Sequence, residues 1–171
     1  MIVDPKEAPE FYHGYLNQLE EGSVLENLMV TGDNLSAFIQ TIPENLGEHR
    51  YAADKWSIKE VLQHINDAER VFAYRVLRFA RNDQSELLGF DQNAYVPESR
   101  ANERKLASIL NEFHILRAAS IDLFSQLEET ELNRVGVASG GEFTVRAIGY
   151  IISGHCKHHQ TILNDRYLND D

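Results

Sequence analysis

His155 and His159 stand four residues apart in a stretch whose apolar residues recur at helical spacing. At 3.6 residues per turn, positions i and i+4 stack on one helical face. Ile148, Ile151, Ile152, Ile162 and Leu163 share that face. Two imidazoles therefore point where an aliphatic core is expected. Neutral imidazole is the commonest protein metal ligand, and a buried polar group needs a partner. The pair either makes ordinary hydrogen bonds inside a core or holds a metal ion.

His64 lies on a second periodic segment, at the flank of its apolar stripe and roughly 60° from Val61 in projection. If the two segments are neighbours, three imidazoles can meet. Three nitrogen ligands with one open position is the arrangement of a catalytic zinc site, whereas a fourth protein ligand would close it. The remaining histidines read more plainly. His158 projects about 80–100° away from the pair, towards the rim. His114 sits at the edge of another apolar stripe, and no pattern singles out His13 or His49.

Other metal patterns are absent. His155 is followed by Cys156 and Lys157, so there is no H-E-x-x-H. Glu60 and His64 are four apart, not the three of di-iron bundles. Cys156 points about 100° round the helix from His155 and reads as a buried structural thiol rather than a nucleophile. Asp67 and Glu69 are the nearest candidates for a general base. Asp67 projects away from the apolar stripe. Glu69 projects into it, where it would need a cation such as Arg166 or Arg146.

Four long amphipathic helices must position these groups. Ser57 and Glu60 form a capping box and Trp56 with Val61 has staple spacing. Ile58, Val61, Leu62, Ile65, Phe72, Val76 and Phe79 then define a helix to about Arg81. Ser23 and Glu26 make a second capping box, before Leu28, Leu35, Phe38, Ile39 and Ile42, although Gly32 and Asp33 weaken that middle. A third helix is predicted from Asn102 to Glu128, and the last from Thr144 to Leu168 after the Gly140-Gly141 break. Pro9 to Leu19 reads as a short preceding helix. Strand signal is almost nil, so the expected fold is all-α, a helix bundle around one core. The connection from Asn82 to Ala101 is long and irregular, and it holds Phe90, Asp91, Asn93 and Tyr95. Such loops either carry function or simply cross the surface with their aromatics packed down.

The 171 residues suffice for one domain with a substantial core. A formal charge of −11, from 27 acidic and 16 basic residues, repels phosphate backbones and excludes ordinary nucleic-acid binding. No apolar run approaches the ~18 residues that span a bilayer, and no apolar leader opens the chain. The single cysteine excludes an internal disulfide and a CxxC zinc knuckle. A cytoplasmic protein is expected.

The run Lys55-Trp56-Ser57-Ile58-Lys59-Glu60-Val61-Leu62-Gln63-His64-Ile65-Asn66-Asp67-Ala68-Glu69 resembles the second-helix motif of the DinB/YfiT-like superfamily. Gly154-His155-Cys156-Lys157-His158-His159-Gln160 and Phe90-Asp91-Gln92-Asn93-Ala94 are similar to that family too, in the same order. The resemblance implies a four-helix bundle with long crossover connections, one domain over 1–171, and residues 1–20 as an extension or short helix. It implies a metal triad of His64, His155 and His159 with zinc or nickel, and it admits a homodimer. It also implies transfer of a low-molecular-weight thiol, such as bacillithiol or mycothiol, to a small-molecule substrate. A metal-bound thiol is deprotonated at neutral pH, which makes a nucleophile without a protein cysteine. Metal-assisted hydrolysis and a non-catalytic, structural metal are the alternatives.

Overall fold

Ser57 starts the helix that carries His64, as its capping chemistry predicts. In the computed structural model, which describes residues 3–168, the Ser57 hydroxyl accepts from the Glu60 N–H. The Glu60 carboxylate accepts from the Ser57 N–H at 2.7 Å. The same reciprocal cap joins Ser23 and Glu26. Each such cap contributes about 1 kcal/mol and sets where a helix begins.

A short helix α1 (His13–Leu16) precedes α2 (Val24–Thr41), which runs unbroken through Gly32 and Asp33. Then come α3 (Ile58–Ala80), the short α4 (Gln92–Glu98), α5 (Leu106–Ser125), the single turn α6 (Glu129–Leu132) and α7 (Val145–Ile162). Helix α7 widens into π-type winding over Leu163–Leu168. Helices α2 and α3 each pack against both α5 and α7, so α2 and α3 lie on one diagonal of the bundle. Consecutive long helices that sit diagonally need long connections, which accounts for the crossovers. No described helix is long and apolar enough to cross a membrane.

Several expectations are corrected. Helix α5 starts at Leu106, not Asn102, because Arg104 and Lys105 are extended and break it from the single turn at Ala101–Glu103; the Asn102 side chain there is used across the bundle. Its amide donates to Glu60 at 2.9 Å and its carbonyl accepts from Ser57 at 2.6 Å, bracing the start of α3. The connection after α3 is less irregular than expected: Asp91 caps α4 by accepting from the N–H groups of Asn93 and Ala94. An antiparallel hairpin of β1 (Val135–Ala138) and β2 (Gly141–Thr144) precedes α7. Ser139 and Gly140 turn it, both at positive φ. Four-residue strands are too short for alternation to register as a pattern.

The apolar interior is also not one cluster. Ala68, Phe72, Val76 and Phe79 pack with the hairpin and the start of α7. Leu35, Ile58, Leu62, Ile109 and Leu163 form a second cluster at the other end. A polar layer runs between them. Glu69 and Arg117 pair there through two bonds of 2.9 Å, both nearly sealed from solvent. Arg117 also donates to the Leu28 carbonyl and the Thr31 hydroxyl, at 2.8 and 3.1 Å. So the cation that answers Glu69 is Arg117. Arg146 instead pairs with Glu129, and Arg166 stacks over Tyr51.

Candidate metal centre

His64 projects from α3 and His155 and His159 from α7, two helices in direct contact. The His64 and His155 Nε2 atoms lie 3.0 Å apart, and the His159 and His155 Nε2 atoms 3.1 Å apart. His64 and His155 are buried and His159 is partly buried. Burial pushes the His64 imidazole down to about 4. Burial, then the neighbouring rings, hold His155 and His159 well below the usual histidine range. All three rings are therefore neutral at pH 7.

Hydrogen bonding alone accounts poorly for this cluster. A ring nitrogen either donates one hydrogen or accepts at one lone pair. The Nε2 of His155 cannot satisfy two neighbours with full hydrogen bonds. Three lone pairs turned towards one cation meet no such conflict. Nitrogens spaced about 3 Å apart also suit an ion with metal–nitrogen distances of ~2.0–2.1 Å. The donor set fits a divalent transition ion, and imidazole serves zinc and nickel alike.

Aromatic rings fix the histidines from outside. Trp56 packs on His64 with ring centroids 5.0 Å apart, and Tyr15 meets His155 edge-on at 5.5 Å. Tyr15 reaches that position because α1 lies directly on α7 at Gly154. A Cβ there would come within 2.4 Å of the Tyr15 carbonyl oxygen.

A cavity of about 230 Å³ opens onto His64 and His155. Tyr12, Tyr15, Phe72 and Phe90 line it, together with Gln92, Arg75 from α3 and Ser139 from the hairpin turn. Burial, with Tyr12 alongside, pushes the Tyr15 phenol above its ordinary value, so it remains protonated. No carboxylate lines this cavity among the described residues.

The other candidates fall elsewhere. Asp67 accepts from Gln63 at 3.0 Å and borders a different depression, and Glu69 is held by Arg117. Neither is placed as a general base. His158 packs between Tyr15 and His159 at the rim. His114 contacts the Ser36 hydroxyl, and His13 meets the carbonyl oxygens of Pro5 and Ala8. Cys156 is fully buried and its thiol is pushed up to about 11 by burial. Of the loop residues, Phe90 reaches the cavity while Asp91, Asn93 and Tyr95 do not. Arg75, Ser139 and Tyr15 carried no sequence signal, because they come from three segments that only packing brings together.

Fold and site thus define a four-helix bundle with three interior histidines, from two helices, converging beside a cavity. The chain belongs to the DinB superfamily, whose family model matches residues 28–163. Its fold is that of the solved structure of YfiT from Bacillus subtilis. That protein is described as a probable metal-dependent hydrolase with an unusual four-helix bundle topology. The TM-score is 0.75 at 13% identity, covering 83% of this chain and 82% of that one. No curated protein matches the sequence.

Proposed function

We propose that the protein is a metal-dependent enzyme in which His64, His155 and His159 hold one divalent transition ion, zinc or nickel. In this reading it is an S-transferase that joins a low-molecular-weight thiol to a small electrophile. The convergence of three neutral imidazoles beside an open cavity carries the reading. Three protein ligands leave a coordination place free, which a structural site would fill. Bound there, the ion would supply the Lewis acidity that keeps a thiol deprotonated at neutral pH. The chain supplies the rest. Trp56 and Tyr15 orient the imidazoles, Phe72 and Phe90 supply apolar surface to a mixed cavity wall, and the Tyr15 phenol holds a proton at Oη for hydrogen bonding.

Hydrolysis is the second reading, favoured by the description of YfiT. It asks for a general base near the reacting water. That no carboxylate of a described residue lines the cavity weighs for thiol transfer, because a bound thiol is a nucleophile without one. The test is elemental analysis of the native protein, then thiol conjugation and ester or amide cleavage assayed before and after chelation. One equivalent of metal and conjugation lost on chelation support the transferase. Ester or amide cleavage restored by zinc, without conjugation, supports the hydrolase. Thiol transfer that persists at full rate without metal overturns the proposal.

A further inference from the structure

Arg75, on α3, is 2% exposed. No carboxylate of a described residue pairs with its guanidinium. Among the described residues its hydrogen bond runs from Nη2 to the Ser139 hydroxyl at 2.7 Å. A guanidinium offers five N–H donors. Arg117, similarly buried, shows what a satisfied arginine looks like here: a bidentate carboxylate and two further acceptors. A buried charge without its counter-ion is costly, so this position calls for an anion that the chain itself does not provide.

The remaining donors of Arg75 are not sealed in the core. Asn66 Oδ1 is the enclosed side-chain polar atom that lacks a partner among the described residues, and no Arg75 atom joins it. Arg75 lines the same cavity as His64 and His155. Its brace is built from distant parts of the chain. Ser139 sits at the hairpin turn, and the Ser139 N–H donates to the Leu87 carbonyl at 2.9 Å, while the Leu87 N–H donates to Val137 at 2.9 Å. The loop after α3 is thereby tied to the hairpin beside Arg75.

The geometry points to an anion subsite in which Arg75, braced by Ser139, receives a carboxylate carried by the small molecule that reaches the three imidazoles. This deepens the reading above by stating what the ligand of that centre bears. The planar fork of arginine matches a carboxylate in two parallel bonds. Arg75 is the one cation lining the cavity among the described residues, which suits a single negative charge better than a phosphate dianion. In a chain of net charge −11, a positive group with no acid beside it selects for such a ligand. The carboxylate can sit on the thiol or on the electrophile.

The test is nitrogen-15 NMR of the full chain, with the Arg75 Nε–H signal assigned by its loss in Arg75→Lys. The probes are 3-mercaptopropionate, 2-mercaptoethanol and propionate, the saturated analogue of acrylate to which no thiol can add. The expected result is a saturable shift of that signal by the two carboxylates. 3-Mercaptopropionate should bind at least about tenfold tighter than 2-mercaptoethanol, as a charge-assisted pair requires. Arg75→Met should abolish that preference and Arg75→Lys should keep part of it. Equal binding of charged and uncharged thiols by the native protein, together with no shift of the Arg75 signal by propionate, overturns the inference without need of any variant. So does an undiminished preference in Arg75→Met. Propionate that still binds beside saturating 2-mercaptoethanol assigns the carboxylate to the electrophile; propionate displaced by it assigns the carboxylate to the thiol. If elemental analysis finds no metal but the charge preference follows Arg75, the anion subsite stands and the metal reading falls.

Discussion

The Nε2 atoms of His64 and His155 lie 3.0 Å apart although 91 positions separate them in the chain. His159 closes the group from the same helix as His155. Each ring is neutral, and none has a carboxylate as its partner among the described residues. That is a donor set for a cation, held ready by two helices in contact.

Removing one imidazole should empty the site. His64→Ala is expected to lower metal affinity by more than the roughly 10–100-fold that outer-shell partners cost. Elemental analysis of native and variant protein after identical dialysis checks this. Equal metal content in both would place the ion somewhere else.

Metal-free protein should lose stability as the solution is acidified. His64 takes up its proton near 4 in the folded chain, against 6.5 for the free side chain. Between those values the unfolded chain binds more protons than the folded one, so stability falls as pH falls through that window. The loss from His64 is on the order of 3 kcal/mol. His155 and His159, shifted in the same direction, add to it. Urea midpoints of chelated protein at pH 7 and pH 5 read the effect; a midpoint that rises on acidification would contradict it.

The Glu69–Arg117 pair should matter more when broken than when replaced. Glu69→Leu alone leaves a buried guanidinium without its carboxylate and should cost roughly 3–5 kcal/mol. The double variant Glu69→Leu/Arg117→Met should recover much of that. A double-mutant cycle by chemical denaturation measures the coupling. Gly32→Ala probes the same layer, since a Cβ there meets Arg117 Cγ and Nη1 at 3.1 Å.

Cys156 should be a bystander to catalysis. With its thiol pushed up to about 11, the thiolate fraction near neutral pH is about 100-fold below that of a free cysteine. Folded protein should resist iodoacetamide, and Cys156→Ala should keep any thiol-transfer activity. Activity lost in a folded, metal-loaded Cys156→Ala protein would return the nucleophile to the chain.

The contact of α1 with α7 at Gly154 should tolerate no side chain. Gly154→Ala places a methyl against the Tyr15 backbone and should cost about 1–3 kcal/mol. Thermal denaturation reads the cost. Tyr15 fluorescence quenching in Tyr15-only and control backgrounds reads whether α1 has shifted from His155.

What was legible in the chain is what local geometry dictates. The caps at Ser23 and Ser57, and the stripes that became α2, α3, α5 and α7, follow from hydrogen bonds and contacts between residues three or four apart. The stacking of His155 and His159 follows from the same spacing. The resemblance of the motifs around His64 and His155 supplied the family. Interactions across the bundle were not legible, because they depend on which helices become neighbours. Arg117 rather than Arg146 or Arg166 meets Glu69 because α5 packs beside α3. Asn102 braces the Ser57–Glu60 cap of α3 instead of opening α5, and Ser139 meets Arg75 because a hairpin too short to show alternation folds over the cavity. The meeting of His64 with His155 belongs to that second class. Helical spacing turns each ring inward, but only the packing of α3 on α7 makes one site of them.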